Sequence, residues 1–243
     1  LEHISIKEGL SQGTVNSILA SRSGFVWLAT DNGINIYDGH TIKRLSGPNK
    51  SFIDVSVYSI KQDSQGGVWI NVDDGLYRFQ PENNQYQHIF RNDDNHHAID
   101  VAEGKNSSND NGYWIATIKT IGFYLPSQQQ FQTKLNLSTE LLGKNNIYQI
   151  TYHKQVLYIA TRIGVYGYDI NTGQWRKLPN LANINTQDNF NLLEAGKSYA
   201  LYISDQNDLY IGTNDGVFSV NVSDIKQYIQ EKSSLLGYKQ ILK

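Results

Sequence analysis

The sequence predicts an all-β protein of β-propeller class, built from five repeats of a four-stranded blade. Three observations carry this: a recurring short strand that opens on Trp or Tyr, a glycine at a near-constant distance behind it, and a period in the mid-forties. The strands read Trp27-Leu28-Ala29-Thr30, Trp69-Ile70-Asn71-Val72, Trp114-Ile115-Ala116-Thr117, Tyr158-Ile159-Ala160-Thr161 and Tyr210-Ile211-Gly212-Thr213. The glycines are Gly33, Gly75, Gly122, Gly164 and Gly216. Four short strands at such a period match one blade per repeat, because a lone four-stranded sheet cannot bury both faces and stacked blades cover one another.

Each copy fills in the same way. An alternating strand follows the glycine, as in Ile34-Asn35-Ile36-Tyr37 and Leu76-Tyr77-Arg78-Phe79. Upstream lies a third strand: Val15 to Leu19, Val57 to Ile60, Ile99 to Val101, Ile147 to Ile150 and Tyr199 to Tyr202. A fourth closes most copies, as in Ile42 to Leu45, Tyr86 to Ile89 and Trp175 to Leu178. The blades are expected over about 13–46, 55–90, 97–133, 146–179 and 197–243, all within one propeller domain or propeller fragment spanning 1–243.

Turn chemistry agrees with the strands. Asp31-Asn32-Gly33, Asp73-Asp74-Gly75 and Asn214-Asp215-Gly216 are hairpin signals in which glycine takes a positive φ. Arg162-Ile163-Gly164 and the longer Ile118 to Gly122 depart from them and predict turns of different shape. In copy three the turn between the first two strands expands to a polar loop over Gly104 to Gly112. One segment leaves the strand rhythm: Ser223 to Lys232, with Ser223 as N-cap and Ile225, Tyr228 and Ile229 at helical spacing, predicts a short helix. Tyr238 to Leu242 then forms the outer strand of blade five.

His3-Ile4-Ser5-Ile6 alternates like a strand, and residues 1–7 are expected to close a ring. Blade five already has its own outer strand, so the spare one points to a truncated ring with more blades than five; the alternative is a closed five-bladed ring in which either Ile4 to Ile6 or Tyr238 to Leu242 is not in the sheet. Leu1 at the start of a chain without Met points the same way, to a processed or excised form.

Composition narrows the function classes. The chain carries 21 Lys and Arg against 23 Asp and Glu, net charge -2, so it lacks the basic footprint of a nucleic-acid binder. Cys is absent, which excludes disulfides, thiolate catalysis and cysteine metal sites. No apolar run approaches the roughly 18 residues of a membrane helix.

The search for chemistry returns little. His96-His97 follow Asp93-Asp94-Asn95, but adjacent strand residues face opposite ways, and a polar loop explains them better than a metal site. No nucleophile signature or phosphate cradle is present. The aromatics recur once per blade, as packing residues do; a ligand would need them gathered at one place. Irregular residues on the turns between second and third strands are the better ligand candidates: Asn32, Asp74, Lys119, Arg162 and Asp215. Lys119 and Arg162 stand where other copies carry Asx, and would suit an anion.

The run from Gly9-Leu10-Ser11 through Val15-Asn16-Ser17-Ile18 and Gly24-Phe25-Val26-Trp27 to Ile36-Tyr37-Asp38-Gly39 resembles the two-component regulator propeller repeat. Val57 to Phe79 repeats it; copies three to five match less closely, and Asp63 of copy two has no acidic counterpart elsewhere. The resemblance implies a seven-bladed ring in the periplasmic sensor region of a bacterial inner-membrane receptor, with a histidine kinase or diguanylate cyclase as output beyond this chain. The function it implies is non-catalytic sensing. A protein-interaction scaffold and an enzyme of lyase or quinoprotein type are the alternatives. The expected partners are a small ligand, a carbohydrate or anionic metabolite, and a second subunit in a receptor dimer. No cofactor, metal or nucleic acid is expected, and membrane attachment only through segments outside the chain.

Overall fold

A computed structural model describes residues 4–50, 52–92, 97–137, 147–178, 198–214, 216–231 and 239–242. Among these are twenty strands in five antiparallel four-stranded sheets, each with its strands in chain order. Blade one comprises β1 (Val15–Ala20), β2 (Val26–Thr30), β3 (Gly33–Tyr37) and β4 (Ile42–Leu45). Blade two comprises β5 (Val57–Gln62), β6 (Val68–Val72), β7 (Gly75–Gln80) and β8 (Gln85–Arg91). Blade three follows with β9 (Ala98–Lys105), β10 (Asn111–Thr117), β11 (Thr120–Leu125) and β12 (Gln130–Asn136). Blade four has β13 (Ile147–His153), β14 (Val156–Thr161), β15 (Gly164–Asp169) and β16 (Trp175–Lys177). Blade five has β17 (Ser198–Ile203), β18 (Asp208–Thr213), β19 (Gly216–Asn221), helix α1 (Val222–Glu231) and β20 (Lys239–Leu242). The five-blade reading of the repeat therefore holds.

The chain forms two compact units, Leu1–Ala98 and Ile99–Lys243. In the first, Trp27, Ala29 and Ile34 of blade one pack on Ile60, Val68, Ile70, Val72, Tyr77 and Phe79 of blade two. In the second, Trp114, Ala116 and Ile121 of blade three pack on Ile150, Leu157 and Ile159 of blade four. Tyr158, Ala160 and Val165 of blade four repeat the arrangement on Leu201, Leu209 and Ile211 of blade five. In blades one, three and four the recurring aromatic is thus an interblade packing residue, as its once-per-blade recurrence predicts.

Polar ties reinforce these joints along the innermost strands. Ser17 Oγ accepts the Ile60 N–H (3.3 Å), Asp100 Oδ2 accepts the Ile150 N–H (2.9 Å), and Gln149 Oε1 accepts the Leu201 N–H (2.8 Å). An innermost strand has one unpaired backbone edge, and the preceding blade's side chain satisfies part of it.

Helix α1 forms where its spacing predicts, capped two residues earlier than expected: Ser223 lies inside the helix and Asn221 Oδ1 accepts its N–H (3.0 Å). It straps blade five to blade four. Ile229 lies against Gly167, where any Cβ would collide with it. Arg176 stacks its guanidinium 3.9 Å from the Tyr228 ring centroid, and Gln230 Nε2 donates to the buried Asp169 carboxylate (2.8 Å).

Three expectations need correction. The closing strand expected over 1–7 is absent from its described part: Ile6–Glu8 forms a 3-10 turn, and His3 lies outside the described residues. Ser5 and Glu8 make a reciprocal capping box and Gly9 closes the turn at φ 109°, so local hydrogen bonds outweigh the alternating pattern. The turn expected from Ile118 to Gly122 is no longer than the others. Thr120 takes the glycine's place without a positive φ, and Gly122 lies inside β11. The expanded loop of copy three shrinks because its two strands extend into it; Asn106 Oδ1 closes the remainder by accepting the Ser108 and Asp110 N–H groups.

Candidate functional site

The turn ends of the blades, where second strand meets third, hold the sequence-predicted ligand residues. In blades one, three, four and five a threonine builds this turn. Thr30, Thr117, Thr161 and Thr213 each donate Oγ1 to the carbonyl that follows the turn, that of Gly33, Thr120, Gly164 and Gly216. In the first three the same oxygen also accepts a turn N–H, from Asn32, Lys119 and Ile163. The turn backbone is thereby fixed, and the two turn side chains are free to vary.

In the first unit those side chains have structural partners. Asn32 receives Arg44 Nη2 on both its carbonyl (2.9 Å) and its Oδ1 (3.0 Å). Asp74 accepts the Tyr77 hydroxyl (2.9 Å), and burial together with this bond pushes the Tyr77 pKa up to about 12. In the second unit, Lys119 and Arg162 are both exposed. Asp215 lies outside the described residues.

The sequence reading missed the residues that face the innermost strands. A β-bulge interrupts β1, β5, β13 and β17 at their second residue. In the first unit the bulged side chain reaches the first turn residue. Asn16 Nδ2 donates to Asp31 Oδ1 (2.7 Å), and Tyr58 Oη donates to Asp73 Oδ1 (2.5 Å). The Asp73 bond, burial and the charges of Asp73 and Asp31 raise the Tyr58 pKa to about 12. His97 lies beside Tyr58 with ring centroids 5.7 Å apart; its neighbours Asp93 to His96 lie outside the described residues. In the second unit, Tyr148 occupies the bulge of β13, half exposed. The available signal was the tyrosine shared by Tyr58, Tyr148 and Tyr199 one residue into each innermost strand.

Among the described residues, no group of three or more His, Asp or Glu is placed to hold a metal ion. The buried Asp63 carboxylate is structural. Asp63 accepts the Gly67 N–H, Trp69 Nε1 (3.1 Å) and Arg78 Nε (2.7 Å).

These features define a β-propeller domain whose variable chemistry sits on its turn ends. No protein-family model matches the chain, and no curated protein matches it. Solved structures do. The extracellular domain of a putative hybrid two-component system from B. thetaiotaomicron is 16% identical with a TM-score of 0.65, over 96% of this chain and 28% of that one. The corresponding domain of a second such system from the same organism is 16% identical with a TM-score of 0.59, over 100% of this chain and 36% of that one. Virginiamycin B lyase from Staphylococcus aureus is 14% identical with a TM-score of 0.61, over 93% of this chain and 70% of that one. The chain thus spans about a third of the two-component domains that it matches, and what it shares with them at this identity is the fold. Among the described residues, no helix is long and apolar enough to cross a membrane.

Proposed function

We propose that this chain is a non-catalytic sensory propeller in the extracytoplasmic part of a bacterial inner-membrane receptor, of two-component or diguanylate cyclase type. The observation that carries it is the coincidence of two independent likenesses. The repeat motif of copies one and two resembles the two-component regulator propeller, and the fold matches extracellular domains of two-component systems across nearly the whole chain. Function resides in sites grafted on a fold, so the proposal extends to the turn ends. There Arg162 and Lys119 are exposed cations, and they are assigned to a carboxylate- or sulfate-bearing sugar or a small organic anion. Asn32 and Asp74, held by Arg44 and Tyr77, shape the turns of blades one and two; Asp215 stays in the set by its position alone.

A thermal-shift screen of anionic sugars and organic acids tests this. A ligand that raises the melting temperature of the native chain and not of Arg162→Glu or Lys119→Glu supports the assignment; a ligand indifferent to both substitutions refutes it. The likeness to virginiamycin B lyase supports an enzyme as the second reading. Conversion of a ligand from that screen into a new product by the isolated chain would decide for it.

A further inference from the structure

The end of a blade where its innermost strand begins brings two side chains together, and their chemistry changes along the chain. In blade one, Val15 pairs with Thr30, so Asn16 and Asp31 stand at the same end of the β1–β2 pair, and Asn16 Nδ2 donates to Asp31 Oδ1 (2.7 Å). In blade two, Val57 pairs with Val72, and from the next positions Tyr58 Oη donates to Asp73 Oδ1 (2.5 Å). In both, the bulge residue supplies the donor and the turn residue the acceptor.

Blade four keeps this geometry and reverses the chemistry. Ile147 pairs with Thr161 and the same bulge follows it, so Tyr148 and Arg162 hold the places of Tyr58 and Asp73. A guanidinium has N–H donors and no acceptor, so Arg162 cannot take a hydroxyl proton as Asp73 does. The pair presents donors with no anionic acceptor of its own. Arg162 is exposed and Tyr148 is 38% exposed. Thr161 Oγ1 donates to the Gly164 carbonyl (2.7 Å) and accepts the Ile163 N–H (3.2 Å), which fixes the turn backbone beneath Arg162. Ile163 packs on the apolar cluster of blades three and four, so Arg162 is the side chain that the turn presents to solvent. A site held in place in this way loses less entropy when a ligand arrives.

We propose that Tyr148 and Arg162 form a binding site for a carboxylate carried on a ring. The guanidinium fork takes both carboxylate oxygens, as its planar geometry favours. The Tyr148 ring gives the ligand's own ring an apolar platform, and its hydroxyl a further donor. A ring holds its carboxylate and its flat face at a fixed separation, whereas an acyclic acid must freeze rotatable bonds to offer the same two contacts. Uronic sugars and aromatic acids share this chemistry. In blade two the same place holds the Asp73 carboxylate, which repels such a ligand. The proposal rests on the reading of Arg162 as an anion contact and adds Tyr148 and the ring to it.

Isothermal titration calorimetry with glucuronate, benzoate, succinate and glucose tests it. Glucuronate or benzoate should bind about tenfold more tightly than succinate, as a stacked ring adds to the charged contact, and uncharged glucose should give no binding heat. Whichever of the two binds more tightly separates a sugar acid from an aromatic one. Tyr148→Ala should abolish the preference for rings and leave succinate unchanged, whereas Tyr148→Phe should keep that preference at severalfold lower affinity. Arg162→Gln should weaken every carboxylate by about tenfold or more, the worth of a hydrogen bond to a charged group, and Arg162→Lys should restore part of it. Neither side chain is buried, so circular dichroism of each variant should match the native chain. Equal affinity for succinate and both ring acids, unmoved by Tyr148→Ala, would overturn the proposal and leave the anion reading standing. Carboxylates that fail to bind, or that bind regardless of Arg162→Gln, would overturn both.

Discussion

Blades one and two carry the same motif most faithfully and solve the same problem differently. Both bury a tryptophan on the second strand, Trp27 in one and Trp69 in the other. Trp69 donates its indole N–H to Asp63, whose charge is balanced by Arg78 on the facing strand. In blade one the Asp63 position is Ser21, whose hydroxyl is spent on Phe25 O, and the Arg78 position is Ile36. Trp27 Nε1 is buried with no hydrogen-bond partner among the described residues. Blade three shows a third solution, Trp114 Nε1 donating to Lys105 O (3.1 Å). Blade four replaces the indole with Tyr158, whose buried hydroxyl also has no partner among the described residues and whose pKa burial drives upward. The repeat dictates where the aromatic goes; each blade satisfies its polar atom separately, or leaves it unsatisfied.

The largest effect should come from Asp63→Ala. It removes the acceptor of Arg78 Nε and of the buried Trp69 N–H, and one-sided removal of a buried pair costs about 3–5 kcal/mol. Urea unfolding should register the loss; the same experiment on Ser21→Ala should move the midpoint far less. A sharper comparison pairs Trp69→Phe with Trp27→Phe. Both lose similar volume, but only the first removes a hydrogen bond to a charged acceptor. Trp69→Phe should be the more costly by about 1.5–3 kcal/mol. Equal costs would mean that the Asp63 network contributes nothing to the stability of blade two.

Next comes the turn glycine. Gly33 has φ 92° and lies under the Phe52 carbonyl, whereas blade three uses Thr120 at the equivalent place. Gly33→Thr should cost about 1–3 kcal/mol through backbone strain, readable as a lower melting temperature. The smallest effect concerns Asp38 at the end of β3. Its carboxylate accepts N–H bonds from Thr41 and His40 and the Thr41 hydroxyl, which hold its pKa at about 2, below the usual 3.8. The folded value lies below the unfolded one, so this contribution is complete above pH 3.8 and is lost as pH falls through about 2. An NMR titration of the Asp38 carboxyl carbon should show that low midpoint, and Thr41→Val should raise it.

What the sequence disclosed follows from what repeats. Aromatic, aliphatic and glycine positions recur in register, so strand order, blade bounds and the joint residues were legible. Helix α1 was legible because Ile225, Tyr228 and Ile229 break period two. Features that depend on one local bond escaped. The Ser5–Glu8 capping box overrode an alternating segment, and Thr120 replaced a glycine that had seemed displaced to Gly122. The bulges that aim Asn16 and Tyr58 at Asp31 and Asp73 leave only the shared tyrosine of Tyr58, Tyr148 and Tyr199 as a mark, and it does not name the partner. For the ligand residues, position was readable but partnership was not: nothing in the pattern said that Arg44 would hold Asn32 or that Tyr77 would hold Asp74.

The central claim is that this propeller works on the far side of the inner membrane as the sensing part of a receptor. Reporter insertion into the intact reading frame, at the exposed Asn83-Asn84 turn, tests it most directly. Alkaline phosphatase placed there should be active and β-galactosidase at the same site inactive. Active β-galactosidase with silent phosphatase would put the propeller in the cytoplasm and contradict the claim.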